Sequence, residues 1–358
     1  MNNLVDFRYI NQKDKELVEI FLSSKNIKRY ILGINKFTKS VLKYIEVDGV
    51  IDDFTRVQKS RKKEIFQIEN VPKDALILWT STGNPLDVKI RLDELEFDNF
   101  SYLALQKYSS LNLVNPPFIS DFKNDFLNNR ESYQQTYDLL EDKSSKEIFQ
   151  KVINFKISYD YNFMRGFVNN FDGQYFDLEF IPKLDNIVFL DGGGYVGDTI
   201  PNIIKNYPNF KKIYMIEPSG LHIKIAKRDF NHIDNIEFIN CGLGSKKIKK
   251  LEEESNQNNC NHNFQAVNID TIDNICNGDR VDFIKLDIEG AEQDAIDGAT
   301  ETIKKYRPIL AICIYHKAED WYKIPQKVLA IDSGYKLYLR HYMQGIFETV
   351  LYFIPEKV

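Results

Sequence analysis

The sequence predicts an α/β protein in which a small parallel unit and a helical connector precede a larger doubly wound sheet. Three observations predict it. Short apolar runs alternate with stretches of helical periodicity, two of those runs end in a glycine-bearing turn, and 358 residues exceed the usual size of one domain. The expected boundaries are 1–115 for the small unit with its leading helix, 116–181 for the connector and 182–358 for the larger sheet.

In the first unit Leu17, Ile20 and Phe21 fall at i, i+3 and i+4, which predicts a packing helix from Gln12 to Ser23. A strand then runs from Arg29 into a loop at Gly33 to Asn35, a helix from Lys36 to Tyr44 and a strand from Val47 to Asp53, with further strands at Glu64 to Ile68 and Ala75 to Thr80. From Pro116 to Ile181 the pattern turns helical, with Ile148, Phe149, Val152 and Ile153 on one stripe. Alternation resumes with strands at Ile187 to Asp191, Ile213 to Glu217, Ile236 to Ile239, Val281 to Asp287 and Ile309 to Tyr315. Helical stretches separate them, such as the one with Ala291, Ala295, Ala299 and Ile303 along one face. Tyr335 to Arg340 and Phe347 to Ile354 read as strands joined by a turn at Gly345, which makes the last strand antiparallel. The polar stretch from Lys246 to Asn263 reads as a solvated insertion.

Composition narrows the function class. Acidic side chains outnumber basic ones, 52 to 47, which argues against general nucleic-acid binding. The first residues, Met1 to Asp6, lack the basic and apolar regions of a signal peptide, and no apolar run reaches membrane-spanning length, so a cytoplasmic protein without a membrane span is expected. Cys241, Cys260, Cys276 and Cys313 form no C-x-x-C pair and read as buried thiols, and His222, His232 and His262 read as surface residues.

The most informative stretch is Ile187 to Asp198, where an apolar strand runs into Asp191, Gly192, Gly193, Gly194, Tyr195 and Gly197. Glycines at a strand's carboxyl end allow a tight turn and a ligand against the main chain. Glu217, ending the second strand, is placed to accept hydrogen bonds from both hydroxyls of a ribose. The spacing Gly192-x-Gly194-x-x-Gly197 also satisfies the dinucleotide pattern. Asp191 separates the readings, because a carboxylate there repels a pyrophosphate and welcomes an ammonium group. S-adenosylmethionine is therefore favoured over NAD.

These residues resemble a known family. Leu190 to Thr199, Ile216-Glu217-Pro218, the block from Phe283 to Glu292 and Arg307-Pro308 look like the successive motifs of FkbM-type methyltransferases. Gln174-Tyr175-Phe176, Leu339 to Tyr342 and Glu348 to Tyr352 are similar to members associated with bacterial surface-glycan clusters. The resemblance implies a class I methyltransferase sheet and O-methylation from S-adenosylmethionine, with Asp191, Gly192, Gly193, Gly194, Tyr195, Gly197, Asp198, Thr199, Glu217, Pro218, Ser219 and Asp287 at the cofactor. The amino-terminal unit looks like the small Rossmann-like domain of PglD-type sugar acyltransferases, but Asn35 and Lys36 stand where further glycines would be expected. An assembly role and sugar recognition remain equal readings for it.

A sugar hydroxyl needs a positioned base, and candidates belong at the carboxyl ends of strands. Asp287 is the expected catalytic or acceptor-orienting carboxylate, against the alternative of a helix cap, and His316 the expected general base. His341, beside Arg340, is a further substrate-contact candidate, and Arg340 and Lys317 are placed to attract a diphosphate. Asp287, Glu289 and Glu292 offer oxygen ligands, but helical or turn spacing need not aim all three at one point and no second ligand cluster stands beside them, so no metal is the expected reading. The acceptor is expected to be a sugar or nucleotide-linked sugar. The competing readings are a nicotinamide-dependent oxidoreductase and a non-catalytic protein that binds cofactor to assemble a glycan complex.

Overall fold

The computed structural model describes residues 10–24, 26–53, 59–60, 63–176, 178–254 and 263–356. Residues 1–9, Cys260, His262 and the tip of the expected insertion at 255–262 lie outside them. The chain divides into two compact units. The first holds Met1–Lys123, Phe149–Asn169 and Met343–Phe347, and the second Asn124–Ile148, Asn170–Tyr342 and Glu348–Val358. The segment expected as a connector is thus shared between the units rather than standing apart.

The first unit carries β1 (Arg29–Leu32), β2 (Gly49–Ile51), β3 (Lys59–Ser60), β4 (Lys63–Phe66), β5 (Leu76–Trp79) and β6 (Asp98–Ser101), in the order β3-β4-β2-β1-β5-β6. All neighbours are parallel except β3 with β4. The helix Gln12–Ser23 packs on this sheet through Leu17, Val18 and Phe21, against Ile31, Leu78 and Phe100. Ile20, expected on that stripe, is 39% exposed, and Val18 takes its place. A helix face rotates by 100° per residue, so i and i+1 neighbours Leu17 and Val18 can share a wide buried stripe.

The turn after β1 is filled by its own side chains. Asn35 Oδ1 accepts from the N–H groups of Phe37 and Thr38, and its amide donates to Thr80 O at 2.9 Å. Thr38 Oγ1 donates to Gly33 O at 2.6 Å. These bonds satisfy the first donors of the helix Lys36–Val41 from within the chain.

The second unit is a seven-stranded sheet in the order β15-β16-β14-β13-β7-β8-β9. Its strands are β7 (Val188–Gly192), β8 (Lys212–Ile216), β9 (Ile236–Ile239), β13 (Phe283–Leu286), β14 (Ile309–Cys313), β15 (Tyr335–His341) and β16 (Thr349–Pro355). A smaller sheet is formed by β10 (Gly242–Leu243), β11 (Ile248–Glu254) and β12 (Asn263–Asp270) in the order β10-β12-β11. The stretch expected as a solvated insertion therefore contributes a paired strand, with Ile248 opposite Ile269. Strands β7, β13 and β14 are buried on both faces, as continuous apolar runs require, and Phe189 stacks on Phe283 at 4.7 Å. β16 runs antiparallel to both β14 and β15. Strand order reverses at β7, which lies between β8 and β13, and in such a sheet that reversal opens a crevice at the carboxyl ends.

Candidate active site

The glycine turn at the end of β7 is tight because β13 closes on it. Gly193 has φ +76°, and a Cβ there would stand 1.8 Å from Asp287 O. The N–H groups of Gly193 and Gly194 both donate to Ile216 O at 3.0 Å, so the turn is pinned to β8 as well. Gly197, at φ +86°, lies under the ring of Phe230.

This turn borders a cavity of about 1300 Å³. Of the residues expected at the cofactor, Gly193, Tyr195, Asp198 and Thr199 line it from the turn, and Glu217, Pro218 and Asp287 from strand tips. Gly192, Gly194, Gly197 and Ser219 stand behind that wall, and Ser219 caps the helix Gly220–Phe230 by accepting from His222 N–H.

Asp191 corrects the sequence reading. Its side chain is fully buried, lies 2.9 Å from Lys285 Nζ and does not reach the cavity. Alternation along β7 turns it sideways, and Lys285 is its register partner on β13. Burial alone would lower the Lys285 pKa, but the Asp191 and Asp287 carboxylates raise it. The ammonium group also donates to Gly193 O at 2.9 Å, so this pair braces the turn from inside.

Glu217 is held at the cavity wall by two backbone donors. Its Oε2 accepts from Tyr195 N–H at 3.2 Å and its Oε1 from Ser219 N–H at 2.9 Å. His222, expected at the surface, lines the cavity with Nδ1 3.3 Å from Glu217 Oε1 and its ring 4.4 Å from that of Tyr195. His232 is exposed as expected.

At the opposite end Asp287 accepts from Tyr315 OH at 3.2 Å and Tyr175 OH at 3.5 Å. Both phenols are buried and their pKa values raised, first by burial and then by Cys313 and Asp287, which keeps them protonated donors. Asp287 caps no helix; the turn that follows is held instead by Glu292, whose Oε1 accepts from the N–H groups of Ile288 at 2.9 Å and Gly290 at 3.3 Å. His316 lies behind Asp287, its side chain 1% accessible, with Nε2 3.5 Å from Asp287 Oδ1 and Nδ1 2.9 Å from Glu292 Oε1. Burial lowers its pKa, but Glu292, Asp287 and Glu289 outweigh burial and raise it. A group enclosed in this way and biased toward imidazolium does not meet an acceptor directly, so its expected place as base is corrected to one behind the carboxylate.

Two more expectations change. His341 is buried with Nδ1 2.8 Å from Thr349 Oγ1, its register partner across β15 and β16, and does not line the cavity. Arg340 pairs with Asp142 at 2.7 Å and with Ser145, whereas Lys317 does line the cavity. Cys241, Cys276 and Cys313 are free and buried.

Sequence reasoning missed Glu348, Gln174 and Tyr175 as site residues. Gln174 Nε2 donates to Glu348 Oε2 at 2.6 Å and to Tyr175 OH at 2.9 Å, forming one polar wall that ends on Asp287. The Glu348 pKa is raised to about 7, by burial first and by Asp287 second. Tyr175, Tyr195, Glu289 and Glu348 all line the cavity and all have positive φ, between 44° and 75°. A side chain in that region costs about 1–2 kcal/mol, and such strain concentrates at functional sites. The available signal was the family-like segments around Gln174 and Glu348.

Residues 187–338 match the model of a family described as Methyltransferase FkbM domain. The chain is similar in fold to the crystal structure of methyltransferase FkbM from Methylobacillus flagellatus KT, with a TM-score of 0.74 and 21% identity over 96% of this chain and 94% of that one. Weaker likenesses include Aeropyrum pernix fibrillarin with natively bound S-adenosyl-L-methionine, 12% identical over 49% of this chain and 70% of that one, TM-score 0.34. An rRNA methylase from Streptococcus thermophilus is 14% identical over 48% of this chain and 89% of that one, TM-score 0.33. No curated protein matches.

Proposed function

We propose, from the match of residues 187–338 to the FkbM methyltransferase domain model, that the chain methylates a hydroxyl oxygen of a sugar or nucleotide-linked sugar. S-adenosylmethionine is the donor in this reading, the cytoplasm the setting and a bacterial surface glycan the destination. The observation that carries the donor is the charge of the wall. Asp198, Glu217, Asp287, Glu289 and Glu348 face the cavity against Lys246, Lys285 and Lys317, and Lys285 is neutralised by Asp191. An acid-rich wall attracts an ammonium and a sulfonium and repels a pyrophosphate, which disfavours a nicotinamide cofactor.

When bound, S-adenosylmethionine supplies an activated methyl group. Glu217 would receive the ribose hydroxyls, and Asp198, the acid on the glycine turn, would face the ammonium in place of Asp191. The absence of a side chain at Gly193 is what lets the glycine turn close on Asp287 O. Asp287, oriented by Tyr175 and Tyr315, would hold the acceptor hydroxyl in line, and that alignment is the larger part of the task. Glu348, with a pKa raised to about 7, is matched to take the hydroxyl proton at neutral pH. His316 and Glu292 position Asp287 from behind.

The reading is tested by calorimetry and by transfer from labelled donor to a panel of free and nucleotide-linked sugars. Binding of S-adenosylhomocysteine and label on a sugar oxygen are expected. Binding of NADH with none of S-adenosylhomocysteine would overturn it.

A further inference from the structure

Two large aromatic residues on the cavity wall are more than half exposed, Phe171 and Tyr195, each at 53%. Tyr195 is tied to the Glu217 end, where its N–H meets the carboxylate and its ring meets that of His222 at 4.4 Å. Phe171 carries no polar group that would favour solvent, yet a fixed turn holds it there. Asn170 N–H donates to Tyr342 O at 3.0 Å, Asn170 Oδ1 accepts from Gly173 N–H at 3.0 Å, and Gln174 N–H donates to Phe171 O at 3.3 Å. The side chain of Gln174 then reaches Glu348 and Tyr175, and Tyr175 OH reaches Asp287. Phe171 is thus built into the same wall as the two carboxylates assigned to the acceptor.

An apolar ring beside carboxylates is complementary to a pyranose, which has C–H groups on its face and hydroxyls on its rim. The positively polarised C–H groups meet the negative face of the ring while rim hydroxyls donate to the carboxylates. Space allows a second molecule beside the donor, since the cavity of about 1300 Å³ exceeds the roughly 300–1,000 Å³ of an ordinary ligand pocket. Charge narrows which one. Asp172, Asp287, Glu289 and Glu348 line this side with Lys317 as their counter-charge, and the charge of Lys317 also bears on Glu319 and Asp320. Arg340, the other cation expected to attract a diphosphate, is held by Asp142 and does not line the cavity. A diphosphate would bring further negative charge to a wall that already has an excess of it.

We propose that the acceptor is a phosphate-free pyranoside, which lays a C–H face on Phe171 and presents one hydroxyl to Asp287 and Glu348. Phe171 is then a specificity-determining residue that orients the sugar ring. The choice of acceptor rests on the methyl transfer proposed above and narrows it by setting the nucleotide-linked sugar aside. The hydroxyl oxygen takes the methyl group from the sulfonium, its proton passes to Glu348, and S-adenosylhomocysteine and a methyl ether leave. Such an acceptor is the product of a glycosyl transfer, a reaction in which the nucleotide diphosphate has already departed, so methylation follows that step.

The test is transfer of labelled methyl by the full-length protein to paired acceptors, the methyl glycosides and the uridine diphosphate conjugates of glucose, galactose and N-acetylglucosamine, with S-adenosylhomocysteine binding measured on the same samples. Label is expected on a methyl glycoside, and about tenfold less on its diphosphate counterpart. Phe171→Ala should raise KM for that glycoside about tenfold and leave kcat within about twofold, and Phe171→Trp should restore KM. S-adenosylhomocysteine affinity and the urea midpoint should be the same in wild type and both variants, because the side chain is half exposed; a merely structural ring would move the midpoint. Preference for the diphosphate sugars would overturn the phosphate-free acceptor and leave methyl transfer to sugars standing. Glycoside methylation indifferent to Phe171→Ala would overturn the platform. Protein that binds S-adenosylhomocysteine yet labels none of these sugars would overturn the sugar acceptor altogether, and this narrower form with it.

Discussion

After β1 the chain turns at Gly33, with φ +107°, and starts a helix at Lys36; after β7 it turns at Gly193, with φ +76°, and starts one at Ile200. In the first turn Asn35 and Thr38 bond to backbone groups of the turn and Thr80 closes the remaining space. In the second, Thr199 makes no capping bond and the turn looks onto a cavity. A strand, a glycine and a helix start therefore do not make a ligand site. What makes one is a helix start left uncapped and a wall that draws its bracing from behind, here from the buried pair Asp191 and Lys285.

The comparison is sharpened most by removing that brace. Lys285→Met leaves Asp191 buried without its partner and should cost about 3–5 kcal/mol in urea unfolding, with Asp191→Asn/Lys285→Met recovering part of the loss. Gly193→Ala comes next. A methyl group 1.8 Å from a backbone oxygen should cost about 3 kcal/mol and abolish S-adenosylhomocysteine binding, whereas Gly33→Ala, whose methyl meets the side-chain oxygen Thr80 Oγ1 at 2.8 Å, should cost about 1–2 kcal/mol and leave binding unchanged. Equal effects on binding would break the distinction between the turns. Asn35→Ala should lose about 1 kcal/mol of stability as an ordinary cap, again with binding unchanged.

The smallest effect is on pH dependence. Glu348 faces Asp287, Lys285, His316 and Gln174, and the fold favours its protonated form. The stability it contributes is complete below its ordinary value of 4.5 and is lost as pH rises through about 7. Glu348→Gln keeps the neutral form at every pH. It should match wild type at pH 4 and exceed it by about 1 kcal/mol at pH 8, a figure reduced from the full shift because the side chain is only partly enclosed. An unchanged difference across that range would show that Glu348 does not titrate in the fold.

Legibility followed how local each feature is. The leading helix, the strand of Val188 to Gly192, and Glu217 and Asp287 at strand tips were readable because period and position along one element determine them. Asp191 misled because its direction depends on which side of the strand it leaves and on Lys285 across the register. His316 and Glu348 were harder still. One is placed by β14 beside β13, the other by β16 beside β14, and neither neighbour relation is written within a single segment. The two glycine turns look alike in sequence for the same reason, since Thr80, which completes the closed one, comes from the end of β5.

The place of β16 also orders the assembly of the site in time. It follows β15 along the chain yet lies between β14 and β15, hydrogen-bonded to both. During synthesis β7, β8, β9, β13 and β14 can pair as they emerge, but the edge of β14 must wait for both later strands. Glu348 enters the cavity wall with β16. The half of the pocket that would receive the methyl donor can thus form on a nascent chain before the half that would choose the acceptor, which is added only when the sheet is closed.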